Sequence, residues 1–290
     1  MVLDKNTLQA LLAFQRNEAT EHLIYAELAR LEKDKANREV LKRISADELR
    51  HYHEWKKHTG REVAPDHLKI FWYTLLSRLF GITFTIKLME EGEVGAQVVY
   101  DRIVKFVPEA ESIRDDEARH ENELIGLLNE ERLNYLGSVV LGLNDALVEL
   151  TGTLAGLTFA LQNAKLVGVA GLITGIAASL SMAASEYVST RTEGGVKDPI
   201  RASIYTGITY VGAVTVLIVP FLLLPNPYLA LGLALISGII LIAVFTYYFS
   251  VVKGVSFRRR FLEMAAVSLS VAGLSFLIGL LVRQFLGIEL

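Results

Sequence analysis

After Asn134 the chain consists of five long apolar segments in succession, near residues 136–161, 166–189, 202–224, 228–250 and 262–285. Each has the ~20 residues that a helix rising ~1.5 Å per residue needs to cross ~30 Å of hydrocarbon. Pro225-Asn226-Pro227 makes a tight break between the third and the fourth. Residues 135–290 hold only seven acids and nine bases, too few to cover five such runs in a soluble protein. Residues 1–134 hold 25 of the 32 acids, 20 of the 29 bases and all six histidines. The chain therefore reads as two domains: a polar one over 1–134 with charge −5, and a membrane domain over 135–290 with charge +2. No basic tail or stripe is present, which excludes nucleic acid as a partner.

Loop charge sets the expected orientation. Arg191, Lys197 and Arg201 flank one loop, and Lys253, Arg258, Arg259 and Arg260 fill another. The opposite side offers only Lys165 and Arg283. Both basic loops, and with them the polar domain, are expected in the cytoplasm, and an odd number of spans leaves the C-terminus outside. The N-terminus shows no basic stretch followed by an apolar core, so no cleaved signal is expected.

Three acids fall inside the expected spans: Asp145 and Glu149 in the first and Glu186 in the second. An ionised carboxylate at the centre of a bilayer costs ~2.5–3.5 kcal/mol on insertion scales, so each is a site hypothesis by default. Asp145 and Glu149 are four apart and share a helix face, as do Met182 and Glu186. Carboxylates with a thioether suit a divalent transition metal better than a sugar or an anion. The chain has no cysteine, which excludes disulfides, thiolate sites and iron–sulfur clusters.

The polar domain is apolar at three- and four-residue spacing, with breaks near 33–36, 59–65 and 107–108. Four helices are expected, over 4–32, 36–58, 67–105 and 109–131. An internal repeat runs through them. Glu18 and Glu93 are each followed seven residues later by a tyrosine, Tyr25 and Tyr100. Glu48-Leu-Arg-His51 is matched by Glu117-Ala-Arg-His120. One Glu from each of two helices and Glu-x-x-His from the other two is the ligand set of di-iron carboxylate bundles. Residues i and i+3 project from one face, so carboxylate and imidazole reach one metal together. Glu18, Glu48, His51, Glu93, Glu117 and His120 are thus the expected ligands of two metal ions per chain, iron or manganese. Glu21, Glu90 and Glu121 are expected to border the site or face solvent. Residues 67–84, with Phe71, Trp72, Tyr73, Phe80 and Phe84, are expected to pack in the bundle rather than lie on the membrane surface.

On these residues the first 130 or so positions resemble rubrerythrin and the ferritin-like superfamily, which implies oxygen or peroxide chemistry at two irons. The chain departs from rubrerythrins in having no cysteine for an electron-delivering module and in carrying Ala96 where they tend to have a further Glu. The second half resembles the vacuolar iron transporter family over about 150 residues. The resemblance rests on Gly142-Leu-Asn-Asp145-Ala-Leu-Val-Glu149 and Ser181-Met-Ala-Ala-Ser-Glu-Tyr187-Val-Ser189. It implies a homodimer with a metal path lined by Asp145, Glu149, Met182 and Glu186, and proton exchange. Many members insert a long acidic domain between spans two and three, where this chain has only 191–200, and the fused bundle stands in its place. The combination resembles the membrane-bound ferritins of bacteria and archaea.

The expected architecture is all-α: a four-helix ferritin-like bundle followed by five transmembrane helices. The expected function is Fe²⁺ efflux through the cell membrane, exchanged for protons, with the bundle sensing, buffering or feeding the metal. The competing reading is a membrane-anchored ferroxidase or peroxide scavenger. A passive anchor has no reason to bear the insertion cost of Asp145, Glu149 and Glu186.

Overall fold

The computed structural model describes residues 5–93, 107, 109–127, 130–195 and 197–286. Among the described residues there are ten α-helices and no strand. The chain divides into two compact units, Met1–Asn129 and Glu130–Leu290.

The first unit contains α1 (Lys5–Leu31), α2 (Lys35–Thr59), α3 (His67–Phe80), α4 (Ile82–Glu93) and α5 (Glu109–Leu127). Local chemistry sets the boundaries. Asp34 caps α2 by accepting from the Asn37 amide, and Gly60 at φ 62° closes it. Asp66 caps α3 through the Leu68 and Lys69 amides. The single helix expected over 67–105 is interrupted at Gly81, whose φ of 93° is open to glycine and not to other residues. The chain turns there between α3 and α4, and only 82–93 continues as described helix.

Three helices of this unit repeat one order along their length: apolar contact, polar cluster, apolar contact. Leu11, Phe14, Trp55, Val107, Ala110 and Ile113 form one buried apolar cluster. Ile24, Tyr25, Leu28, Leu41, Ile44, Ile86, Met89 and Leu124 are in another. Between these positions α1 carries Glu18, α2 carries Glu48 and His51, and α5 carries Glu117 and His120. Hydrophobic burial above and below thus fixes the height at which the polar groups meet.

The second unit contains α6 (Glu130–Leu161), α7 (Ala164–Glu193), α8 (Pro199–Leu223), α9 (Pro227–Lys253) and α10 (Phe257–Leu286). All five are long and apolar enough to cross a membrane. Asn163, Asp198 and Asn226 cap α7, α8 and α9, with Pro199 and Pro227 in the first helical turn where a missing amide proton costs nothing. The helix α6 packs against each of the other four. Leu143, Leu147, Leu150 and Leu154 of α6 meet Tyr210, Val214, Leu217 and Phe221 of α8 in its core. Large apolar side chains such as Ile173, Leu180, Ile208 and Leu274 stay exposed around it, as a lipid-facing surface requires.

Helices in lipid associate through close packing at small residues. A Cβ on Gly142 of α6 would lie 2.5 Å from the Thr206 carbonyl oxygen of α8. On Gly279 of α10 it would collide with the Gly156 backbone of α6. Gly142→Ala should therefore destabilise the membrane unit by about 1–3 kcal/mol, the usual range for overpacking. Gly212→Ala, with nothing within 4 Å, should be neutral. Thermal unfolding in detergent checks this: equal melting temperatures for the two variants would contradict the α6–α8 contact.

Candidate metal centres

The i, i+3 spacing on α2 and α5 brings their Glu and His pairs face to face. Glu18, Glu48, His51 and Glu117 place one ligand atom each within 4.8 Å of one another, a group that can hold a metal ion. His51 Nδ1 lies 3.7 Å from Glu18 Oε2, 3.6 Å from Glu48 Oε2 and 3.1 Å from Glu117 Oε1. His120 Nδ1 lies 3.3 Å from Glu48 Oε1 and 3.7 Å from Glu117 Oε2. Glu48 and Glu117 thus each present one oxygen to each imidazole. The imidazole rings stack with centroids 5.9 Å apart.

Glu18, Glu48, His51 and His120 are all buried. Glu18 Oε2, Glu48 Oε2 and both Nδ1 atoms make no hydrogen bond. An unsatisfied buried polar atom costs ~1–3 kcal/mol, so four of them converging on one set of carboxylates fit a site built for cations. The donor set is all carboxylate oxygen and imidazole nitrogen, which suits Fe²⁺ and Mn²⁺. The other oxygen of Glu18 accepts from the buried Trp55 indole at 2.9 Å. Trp55 in turn stacks on Phe14.

The opposite edge of each imidazole is held by an aspartate from the facing helix. His51 Nε2 of α2 lies 3.2 Å from Asp116 of α5, and His120 Nε2 of α5 lies 3.1 Å from Asp47 of α2. Arg50 pairs with both aspartates, at 3.0 and 2.6 Å, and so does Arg119, at 3.3 and 2.6 Å. Such partners orient a ligating imidazole and fix which nitrogen faces the metal. These four residues were missed as site residues, although the signal was present. The repeat is five residues long, Asp-Glu-x-Arg-His at 47–51 and again at 116–120.

Electrostatics follow from this crowding. Burial and the nearby Glu48 and Glu117 charges raise the Glu18 carboxyl well above the usual range. Burial works against the His51 cation, but Glu117, Glu18 and Glu48 outweigh it and push the imidazole up to about 12. Glu117 and Glu48 do the same for His120, to about 10. Partial burial would raise Asp116, but Arg50, His51 and Arg119 bring it down to about 2.

Of the other expected residues, Glu93 closes α4, and its side chain lies outside the described residues, as do Ala96 and Tyr100. Glu90 is paired with Lys87 at 2.7 Å, and Glu121 is exposed. Phe84 packs fully and Tyr73 packs partly, but Phe71 and Trp72 do not, against the expectation that 67–84 is buried in the bundle.

In the membrane unit Asp145 and Glu149 share one face of α6, Asp145 half-buried and Glu149 exposed. The Tyr210 hydroxyl of α8 donates to Glu149 at 2.9 Å. Glu186 of α7 is held elsewhere, by the Ser138 hydroxyl of α6 at 2.6 Å. Met182 sits partly buried against the core. At ~1.5 Å per residue, Ser138, Asp145 and Glu149 mark levels spread over about 16 Å of α6. Tyr210 and Ser138 are partners of these acids that the sequence alone does not single out.

The surrounding carboxylates favour the charged form of both imidazoles, so a metal ion binding here would have to displace protons from His51 and His120. Binding of Fe²⁺ or Mn²⁺ to the full chain should therefore release at least these two protons and strengthen as pH rises from about 5 to 8. Calorimetry in buffers of different ionisation enthalpy measures the release. Binding with no proton release would contradict this site.

A search of the curated proteins finds no match to the chain. The VIT family model matches residues 136–197, a stretch containing Asp145, Glu149, Met182 and Glu186. This match and the five apolar helices together support a membrane domain of the vacuolar iron transporter type.

Proposed function

We propose that this chain is a proton-coupled exporter of a divalent transition metal, Fe²⁺ or Mn²⁺. In this reading the first unit is a four-helix ferritin-like bundle on the cytoplasmic side that captures metal for the membrane unit. The observation that carries the proposal is a set of carboxylates inside membrane spans: Asp145 and Glu149 on α6, and Glu186 on α7 at the level of Ser138. Such groups are expensive in hydrocarbon and are kept for ion pathways.

The residues divide the work as follows. Glu18 and His51 would hold one ion, His120 with Glu93 the other, and Glu48 and Glu117 would be shared, as their oxygens already face both imidazoles. Asp47, Asp116, Arg50 and Arg119 keep the imidazoles aimed inward. In the membrane Glu186, Asp145 and Glu149 would accept the ion in turn, with Met182 as a soft neighbour, and release protons to do so. Glu149 is exposed on the single chain although it lies mid-span. A second copy facing it would shield the carboxylates from lipid and line the path, which supports a homodimer. A path must also let its ion go, so single carboxylates fit it better than the dense cluster of the bundle.

Asp145→Asn and Glu186→Gln remove charge while keeping shape and hydrogen bonding, and both should be neutral or favourable for insertion. Each is expected to lower metal efflux from cells at least about ten-fold, a loss of ~1.4 kcal/mol, while the chain still binds metal at the bundle. Cellular metal content under metal load reads the effect. Variants that clear metal as well as the unchanged chain would overturn the transport reading.

A further inference from the structure

Helix α3 carries an apolar stripe that the described residues of its own unit leave uncovered. Its inner face, Ile70 and Tyr73, packs against the cluster of Ile24, Leu28 and Ile86. Its outer face does not pack: Leu68 is 67 % exposed, Phe71 59 %, Trp72 52 % and Leu79 67 %. Leu68, Trp72, Leu75 and Leu79 follow helical spacing and form one strip, with Phe71 beside it. Lys69 lies about a quarter turn to one side and Arg78 about a quarter turn to the other, at 100° per residue. Both are exposed, and neither has a salt-bridge partner among the described residues. Residues 67–89 contain no Asp or Glu at all, although the first 134 residues hold 25.

We infer that this face of α3 docks on an anionic lipid surface. A strip of Trp, Phe and Leu between two bases is the make-up of a helix lying in a membrane interface, with its apolar side ~5–10 Å deep. Long basic side chains at the edges reach up to the headgroups, and each adds about 1 kcal/mol near an anionic leaflet. Fourteen residues would hold a free protein to a membrane only weakly. This chain carries five membrane spans of its own, so the contact forms at high effective concentration and need not be strong.

A second copy of the chain suits the face less well. A two-fold pairing of α3 about the point between Tyr73 and Thr74 puts Leu68 on Leu79 and Trp72 on Leu75. It also gathers both copies of Lys69 along one edge of the seam and both copies of Arg78 along the other, with no acid on the helix to relieve the repulsion. Anionic lipid meets the same two charges favourably.

The chain has two tryptophans, which makes the test clean. Trp55 is fully buried and bonded to Glu18, and Trp72 lies on the proposed surface. The full chain is placed in nanodiscs of brominated phospholipid, with and without an anionic component, and tryptophan emission is recorded. The Trp72 contribution, taken as the difference from Trp72→Phe, should be roughly halved in anionic discs, because a ring at that depth lies beside the bromines. Lys69→Glu with Arg78→Glu should restore it while the Trp55 emission, a monitor of folding, stays unchanged. Trp72 left unquenched in anionic discs but open to aqueous acrylamide would overturn the proposal. Trp72 shielded from both quenchers would also overturn it, in favour of a second copy or another protein on this face.

Discussion

The cost of taking carboxylates out of water governs both halves of this protein. In the first unit Glu18 and Glu48 are buried among helices and Glu117 partly so, and the cluster is tolerable only because cations face it. His51 and His120 supply positive charge from within, and the orphaned atoms leave room for more. In the second unit the same cost falls on Asp145, Glu149 and Glu186, softened by single hydroxyl donors from Tyr210 and Ser138. The contrast is in density. Carboxylates crowd around two imidazoles in the first unit, while in the second Glu149 and Glu186 each meet one hydroxyl donor, from different helices.

The supporting shell of the first site is built by crossing. Asp47 steadies the histidine of α5, Asp116 steadies that of α2, and Arg50 and Arg119 tie the two aspartates together. Neither helix can slide or rotate without breaking the partner's imidazole contact. The apolar clusters above and below add the non-directional part of the same restraint. Precision here comes from a five-residue motif used twice, so that one short pattern supplies glutamate and histidine, orienting acid and tie on each side.

Much of this was readable from residue spacing, because helix geometry is local. Five runs of about 20 apolar residues admit few structures other than five spans, and the five helices are found. Glu-x-x-His must put both side chains on one face, and Glu18, Glu48, His51, Glu117 and His120 do converge. What escaped was non-local or set by a single backbone angle. Gly81 looked like one more residue in a helical pattern, yet its φ of 93° ends α3. The contacts of Asp47 with His120 and of Ser138 with Glu186 join residues far apart in sequence: the repeated Asp-Glu-x-Arg-His flags Asp47 but not the histidine it meets, and nothing flags Ser138. The apolar count of 67–84 was plain, but which side of α3 faced inward was settled by packing against α1 and α4.

Transport in the proposed form requires the membrane carboxylates to carry metal against protons, and flux tests that directly. Inside-out vesicles containing the full chain would be given Fe²⁺ outside and an acidic lumen. Metal uptake into the lumen is expected, and it should fall sharply when the pH gradient is collapsed. No uptake, or uptake indifferent to the gradient, would contradict it.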